Sequence, residues 1–219
     1  MTTRTRSSPP RRKDSYHHGD LRRALVDATL ALISEEDVSA VSLREVARRA
    51  GVSAAAPYHH FQDKSALLAA VAEEAFRSLD ARMAEALADK DARPDEQLHR
   101  LARCYVRFAL EHPSHFRVMY SQTLGDAEKY PELHAAGTSS YRRLLQWAEA
   151  AHTALGGTES SETLAITVWA WVHGLASLWN EGSLHKKTGS SSIEPLLERS
   201  AALLTRLLAG PTKPQRRSR

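Results

Sequence analysis

The sequence predicts an all-α protein of about nine helices. Apolar residues recur at spacings of three and four along most of its 219 residues. No segment alternates with period two for long, and β-branched residues are sparse. Capping residues, glycines and prolines cut the chain into pieces of helical length. A chain of this size allows one or two domains and can bury a sizeable core.

The elements follow in order. Residues 1–16 are rich in Ser, Pro and Arg and read as a disordered basic arm. Gly19-Asp20 begins a first helix with Asp20 as its cap, and Leu21, Leu25, Ala28 and Leu32 form its buried stripe. Ser34–Ala40 is a polar connection. Ser42 and Glu45 make an S-x-x-E capping box that starts a helix at Leu43. Leu43, Val46, Ala47 and Ala50 face its core. Gly51 ends it, because a turn with positive φ costs glycine nothing. Ser53 can cap a short second helix over about Ala54–His60, with Phe61 plugging the core behind it. Asp63 caps the next helix, with Lys64 in its first turn. This long connector carries Leu67, Leu68, Val71, Ala75, Leu79, Met83 and Leu87 on one side.

Lys90–Pro94 is a break, after which Asp95 caps a helix through about Glu111. His112-Pro113 ends it, since the residue before proline resists the α region. Ser114–Ser121 is a short helix and Gly125–Pro131 a loop. Glu132–Leu155 is a longer helix with Leu133, Leu144, Leu145 and Trp147, closed by Gly156-Gly157. Glu159–Gly182 is the next, and Leu184–Ser192 a polar loop. Pro195 suits position N1 of a last helix through about Ala209, stopped by Gly210-Pro211. Residues 211–219 are a basic tail.

Residues 42–64, SLREVARRAGVSAAAPYHHFQDK, carry the most information. Helix, glycine turn and short helix read as a helix-turn-helix, which sets one helix in the DNA major groove. The same spacing also fits a plain helical hairpin. Tyr58, His59, His60 and Lys64 tip the balance. Their hydroxyl, imidazole and ammonium donors cluster where a docked helix meets phosphates.

This stretch resembles the DNA-binding domain of the tetracycline-repressor (TetR) family of bacterial regulators. The resemblance rests on Ser42, Val46-Ala47, Ala50-Gly51-Val52-Ser53, Tyr58-His59-His60-Phe61, Lys64 and Leu67-Leu68, in that order. It implies a first helix near residues 20–35, a second near 43–50, a recognition helix near 54–60 and a linking helix near 64–89. It also implies phosphate contacts from Tyr58, His59 and Lys64, and base contacts from Ala54, Ala55, Ala56 and sometimes Arg44. One departure matters. Many relatives carry Lys, Gly, Thr and Leu where this chain has Ala54-Ala55-Ala56-Pro57. Pro57 has no N–H to bond back to the Ser53 carbonyl, so the recognition helix should be irregular or very short. Alanines offer only apolar contacts, for example to thymine methyls. Specificity then leans on Arg44, on Tyr58 and on DNA shape. The DNA-facing set is Arg44, Ser53, Ala54, Ala55, Ala56, Pro57, Tyr58, His59 and Lys64.

The net charge of +4 hides an uneven distribution. Residues 1–13 hold +5 and residues 212–219 hold +4, so the segment between carries −5. Both tails read as solvated extensions, although the arm beside the helix-turn-helix could also follow the minor groove. The one cysteine, Cys104, excludes an internal disulfide, fits a reducing cytoplasm and reads as buried filler. No apolar run approaches the roughly 20 residues of a membrane span, and no secretory signal is present. The sequence reading is a soluble cytoplasmic protein.

Residues 162–180 are apolar nearly all round. Leu164, Val168, Trp171, Leu175 and Leu178 form one stripe; Ile166, Trp169, His173, Ala176 and Asn180 form another. The last helix repeats the theme with Leu196, Leu203 and Leu207 beside Leu197, Leu204 and Leu208. A helix apolar on two sides must be buried on both. A two-fold four-helix interface between two copies does this, and TetR-like proteins dimerise in that way. The interface is assigned to Trp169, His173, Ala176, Leu197, Leu204 and Leu208; a monomer with a large core is the alternative. The segment Trp171-Val172-His173-Gly174 also resembles a Trp-x-His-Gly signature of one TetR subgroup.

No G-x-S-x-G, P-loop, G-x-G-x-x-G or H-E-x-x-H pattern occurs, and one cysteine makes no structural zinc set. No catalytic residue, metal or cofactor is expected. The family resemblance implies a small-molecule pocket in the C-terminal part, and surplus aromatics agree with it: Phe108, Phe116, Met119, Tyr120, Tyr141, Trp147 and Trp171. Each is equally explained as core.

The reading is an N-terminal three-helix DNA-binding domain at residues 17–63 and a helical effector-binding and dimerisation domain at residues 64–210. The expected activity is sequence-specific regulation of transcription, as a homodimeric repressor on palindromic double-stranded DNA released by a small molecule. The alternative is a helical ligand-binding or scaffold protein whose helix-turn-helix is weak and non-specific. A small enzyme is disfavoured by the missing motifs.

Overall fold

The computed structural model describes residues 18–124, 129–155 and 159–208, and all their side chains except those of 18–20, 155 and 208. The basic arm, Gly125, the Gly156-Gly157 pair, the Gly210-Pro211 stop and the basic tail lie outside them. The described residues are all-α, with no strand. Nine helices run as α1 His18–Glu35, α2 Leu43–Arg49, α3 Lys64–Ala86, α4 Pro94–Glu111, α5 Pro113–Met119, α6 Pro131–Leu155, α7 Ser161–Asn180, α8 Ser183–Thr188 and α9 Glu194–Leu208.

Local chemistry explains most boundaries. The Ser42 hydroxyl accepts the Glu45 N–H at 3.2 Å and starts α2. The reciprocal half of the expected capping box is missing, because the Glu45 carboxylate turns to Arg48 instead, at 2.9 Å. Gly51, at φ +69°, takes the left-handed turn. Asp63 caps α3 by accepting the Ala66 N–H at 2.8 Å.

Four boundaries differ from expectation. Helix α1 already includes His18, so Asp20 lies within it and is not its cap. Pro94 occupies N1 of α4, which moves Asp95 from the cap into the first turn. The connection after α1 contains a 3-10 turn at Val38–Ala40 that buries Val38. The loop expected over Leu184–Ser192 contains α8, six residues held between Gly182 and Gly189. A segment that short shows no periodicity.

Two hydrophobic cores share α3. The first joins Leu25, Val26, Leu32 and Ile33 of α1 to Leu43 and Val46 of α2, Phe61, and Leu67, Leu68 and Val71 of α3. It is completed by Val118, Leu124 and Leu133, far along the chain. The second takes Ala75, Leu79 and Met83 from the rest of α3, with α4, α6, α7 and Leu197 of α9. The packing therefore has no seam at residues 63/64. The same helix serves both cores, and its buried residues change sides between Ala72 and Ala75.

Candidate nucleic-acid interface and effector cavity

The expected recognition helix is a single 3-10 turn over Ala56–His59. Its cause is local. Pro57 has no N–H, and the Ser53 carbonyl accepts from the Ala56 N–H at 3.0 Å instead. The turn starts after Ala55 with no side-chain cap, so Ser53 does not cap it. Pro57 is buried, which corrects its place in the DNA-facing set: it packs inward, beside the buried Phe61. The Phe61 ring is covered by the Arg22 guanidinium at 5.4 Å.

The other expected DNA-facing residues stay at the surface. Ser53, Ala54, Ala55 and His59 are exposed, Ala56 is half-buried, and Tyr58 is 60% exposed. Arg44 is exposed and has no ion pair among the described residues, unlike Arg48 with Glu45 and Arg49 with Glu35. Arg44 and Ala54 line one shallow groove with Ser42 and Arg48. Lys64 is more constrained than expected. Its ammonium donates to the Ser39 carbonyl at 2.8 Å, and burial holds its pKa below the ordinary lysine value. An ammonium has three N–H donors, so two remain for a phosphate.

The second site is a cavity of about 400 Å³ inside the C-terminal helices. Phe76, Leu79 and Met83 come from α3, and Leu101, Ala102 and Tyr105 from α4. Tyr120 follows α5; α6 gives Gly137, Ser140, Tyr141 and Leu144, and α7 gives Val168, Trp169 and Val172. Of the seven residues expected in a pocket, only Tyr120 and Tyr141 line it. Phe108, Phe116, Met119 and Trp147 are buried in the packed core, and Trp171 is half-buried off the lining. Aromatic content alone did not separate wall from filling. Tyr105 and Trp169 were missed because their neighbours on the wall come from other helices.

A hydrogen-bonded relay ends at this cavity. The Tyr105 hydroxyl donates to the Tyr120 hydroxyl at 3.0 Å and lies 2.9 Å from His173 Nδ1. His173 Nε2 is 3.4 Å from the Ser177 hydroxyl. Burial raises both tyrosine pKa values and lowers that of His173, so all three are neutral near pH 7. His173 is thus half-buried and hydrogen-bonded behind the cavity-lining tyrosines. Burial also pushes the Cys104 thiol up to about 11, which leaves it protonated near pH 7.

Two residues expected at a dimer interface are internal to the protomer. Ala176 is fully buried and Leu197 is 3% exposed, both within one protomer's core. Leu204 packs on that core, and the side chain of Leu208 lies outside the described set. Trp169 lines the cavity and is 37% exposed. The apolar surface left open is Leu203 and Leu207 of α9, 50% and 70% exposed, with Ile166, Trp169 and Leu178 of α7, drawn from both of its stripes.

The two sites are physically linked. Phe116 and Tyr120, at α5, pack edge-on or tilted against His173. From the same short helix, Arg117 donates to the Ile33 carbonyl of α1 at 3.0 Å, and Val118 fills the DNA-side core.

Comparison with known proteins agrees with this architecture. A family profile described as bacterial regulatory proteins, tetR family, matches residues 25–71. A second, described as the tetracyclin repressor-like C-terminal domain, matches residues 98–204. The transcriptional regulator BetI of Rhizobium meliloti is 32% identical over 160 residues, covering 70% of this chain and 75% of BetI. BetI of Cronobacter sakazakii is 43% identical over 58 residues, only 26% of this chain and 29% of its own length. Among solved structures, a Rhodococcus sp. RHA1 protein of unknown function superposes with a TM-score of 0.75 at 30% identity, over 90% of this chain and all of that one. A tetR-family regulatory protein from Rhodococcus RHA1 shares the fold, with a TM-score of 0.71 at 19% identity, over 86% and 96% of the two chains. With both halves matched and one relative aligned over three quarters of its length, the chain belongs to the TetR family of bacterial regulatory proteins.

Proposed function

We propose that the chain represses transcription as a two-fold dimer that grips a palindromic operator and lets go when a small molecule fills the cavity. The observation that carries the DNA part is residues 42–64. A packed three-helix body presents Arg44, Ala54, Ala55, Tyr58 and His59 to solvent on consecutive turns. Support for the dimer is the exposure of Leu203 and Leu207 on α9 and of Ile166, Trp169 and Leu178 on α7, because exposed large apolar surface marks association sites. In such a dimer each 3-10 turn meets one half-site, about 34–36 Å from its twin. Arg44 reads base edges, Ala54–Ala56 approach thymine methyls, and Tyr58, His59 and Lys64 hold phosphates. Support for release is the strap from the cavity relay through α5 to α1. By linkage, effector and DNA then weaken each other, typically by about 5–150-fold.

The test is retention of random duplex DNA at physiological salt, followed by sequencing. A palindrome with half-sites one helical turn apart is expected. Binding without any enriched sequence, vanishing as salt rises, overturns this reading in favour of a scaffold with a non-specific helix-turn-helix.

A further inference from the structure

We propose that the cavity takes an uncharged, largely apolar molecule carrying one hydrogen-bond-accepting oxygen, a carbonyl or ether, which Tyr120 holds. This rests on the reading of the cavity as the effector site and names its ligand class.

The wall decides the charge. No Lys, Arg, Asp or Glu lines the cavity. Asp80, next to Leu79 on α3, is already taken by Arg143 at 2.6 Å and by the Ser139 hydroxyl. The titratable groups that do face the cavity, Tyr105, Tyr120 and Tyr141, are phenols, and the His173 imidazole behind them is neutral. A buried ion without a partner is costly. A carboxylate or ammonium entering here would find no counter-charge.

The relay decides the polar group. The Tyr105 hydroxyl has one hydrogen, and it goes to Tyr120. The contact to His173 Nδ1 is then a donation from the imidazole, which leaves Nε2 as acceptor for Ser177. The chain of donors therefore runs Ser177, His173, Tyr105, Tyr120. No described residue accepts the last hydrogen, that of the Tyr120 hydroxyl, and Tyr120 stands on the cavity wall. A donor at the end of a directed chain is complemented by an acceptor on the ligand. The remaining wall includes Tyr141 and Ser140, whose hydroxyl already donates to the Gly137 carbonyl at 2.9 Å, but is mostly apolar, with Phe76, Leu101 and Val168, and suits a hydrocarbon body.

The test uses the full chain and four probes with one skeleton: 2-acetylnaphthalene, 2-ethylnaphthalene, 2-naphthoate and 2-naphthyltrimethylammonium. Binding is read by calorimetry. The acetyl compound should bind about 2–13-fold tighter than the ethyl compound, the range of one net hydrogen bond. The two ions should bind at least roughly tenfold more weakly than the acetyl compound. Tyr120→Phe should erase the acetyl advantage and leave ethyl binding unchanged, whereas Tyr141→Phe should preserve it. The proposal is overturned if an ion binds tightest, if Tyr120→Phe keeps the acetyl preference, or if the folded protein binds none of the four. Retention of DNA is measured alongside. An ion that binds tightest and releases DNA removes the ligand class and keeps the regulator. An acetyl compound that binds as expected yet leaves DNA binding unchanged does the reverse.

Discussion

The DNA-facing turn and the cavity hang on the two halves of one helix, yet they are built by opposite means. The turn uses consecutive residues 42–64 and leaves its working side chains in solvent. The cavity draws on helices α3, α4, α6 and α7 and on Tyr120, over residues 76–172, and keeps its working groups neutral and largely buried. A site that meets a polyanion needs exposed donors and cations. A site that holds an apolar molecule needs walls, and walls come from packing. Helix α3 and the α5 strap make the two sites one mechanical object.

The largest effect should come from removing what seats the turn. Phe61→Ala empties the centre of the DNA-side core and should cost about 3–5 kcal/mol in chemical denaturation. Because α3 belongs to both cores, the loss should appear as one shifted transition. Two separate transitions would show that the regions fold independently.

Next comes the dimer. Leu203→Arg with Leu207→Arg should give a monomer in sedimentation and weaken palindrome binding by about a hundredfold or more, since the second half-site is no longer tethered. A variant that remains dimeric would place the interface elsewhere. Arg44→Ala should cost about 1–3 kcal/mol and relax preference at one position of each half-site in a repeated selection. A loss equal for all sequences would make Arg44 a phosphate contact.

The smallest expected effect is that of pH. Burial lowers the pKa of His173 and, against the pull of Glu74, that of His115 from the ordinary 6.5. Once unfolded, both take up protons near that value. Below it the unfolded chain binds more protons than the folded one, so stability should fall as pH drops through about 6.5. His115→Gln with His173→Gln should flatten the dependence of Tm on pH between 7 and 5.5.

The contrast also explains what could be read in the sequence. Ser42, Gly51, Asp63 and the leucine stripe of α3 act on their own neighbourhood, and all sit as their residue types require. The irregular turn was legible too, because a missing N–H at Pro57 is a local fact. That Pro57 faces inward was not, since burial depends on the elements packed around the turn, α2 among them. The same holds for α7 and α9. Their sequences show two apolar stripes each, and the helices packed against them, α4 on both and α6 on α7, decide what is inside. Of the residues chosen for the dimer, Ala176 and Leu197 lie in the protomer's own core, whereas Trp169 stays 37% exposed. His173 looked like an interface residue on a helical wheel; Tyr105, 68 positions earlier, makes it part of a relay.

Coupling of the cavity to the turn through shared packing can be tested at one glycine, without any ligand. A Cβ on Gly137 would point to the Phe76 ring at 3.9 Å, across the cavity wall. Gly137→Leu therefore fills part of the cavity from a helix that tolerates the change, far in sequence from residues 42–64. Affinity for the selected palindrome should be measured for this variant and the parent chain at equal salt. Affinity should fall by about 5–150-fold, the range typical of allosteric coupling, because the leucine stands in for the effector. A folded, dimeric Gly137→Leu protein with unchanged operator affinity would contradict that coupling.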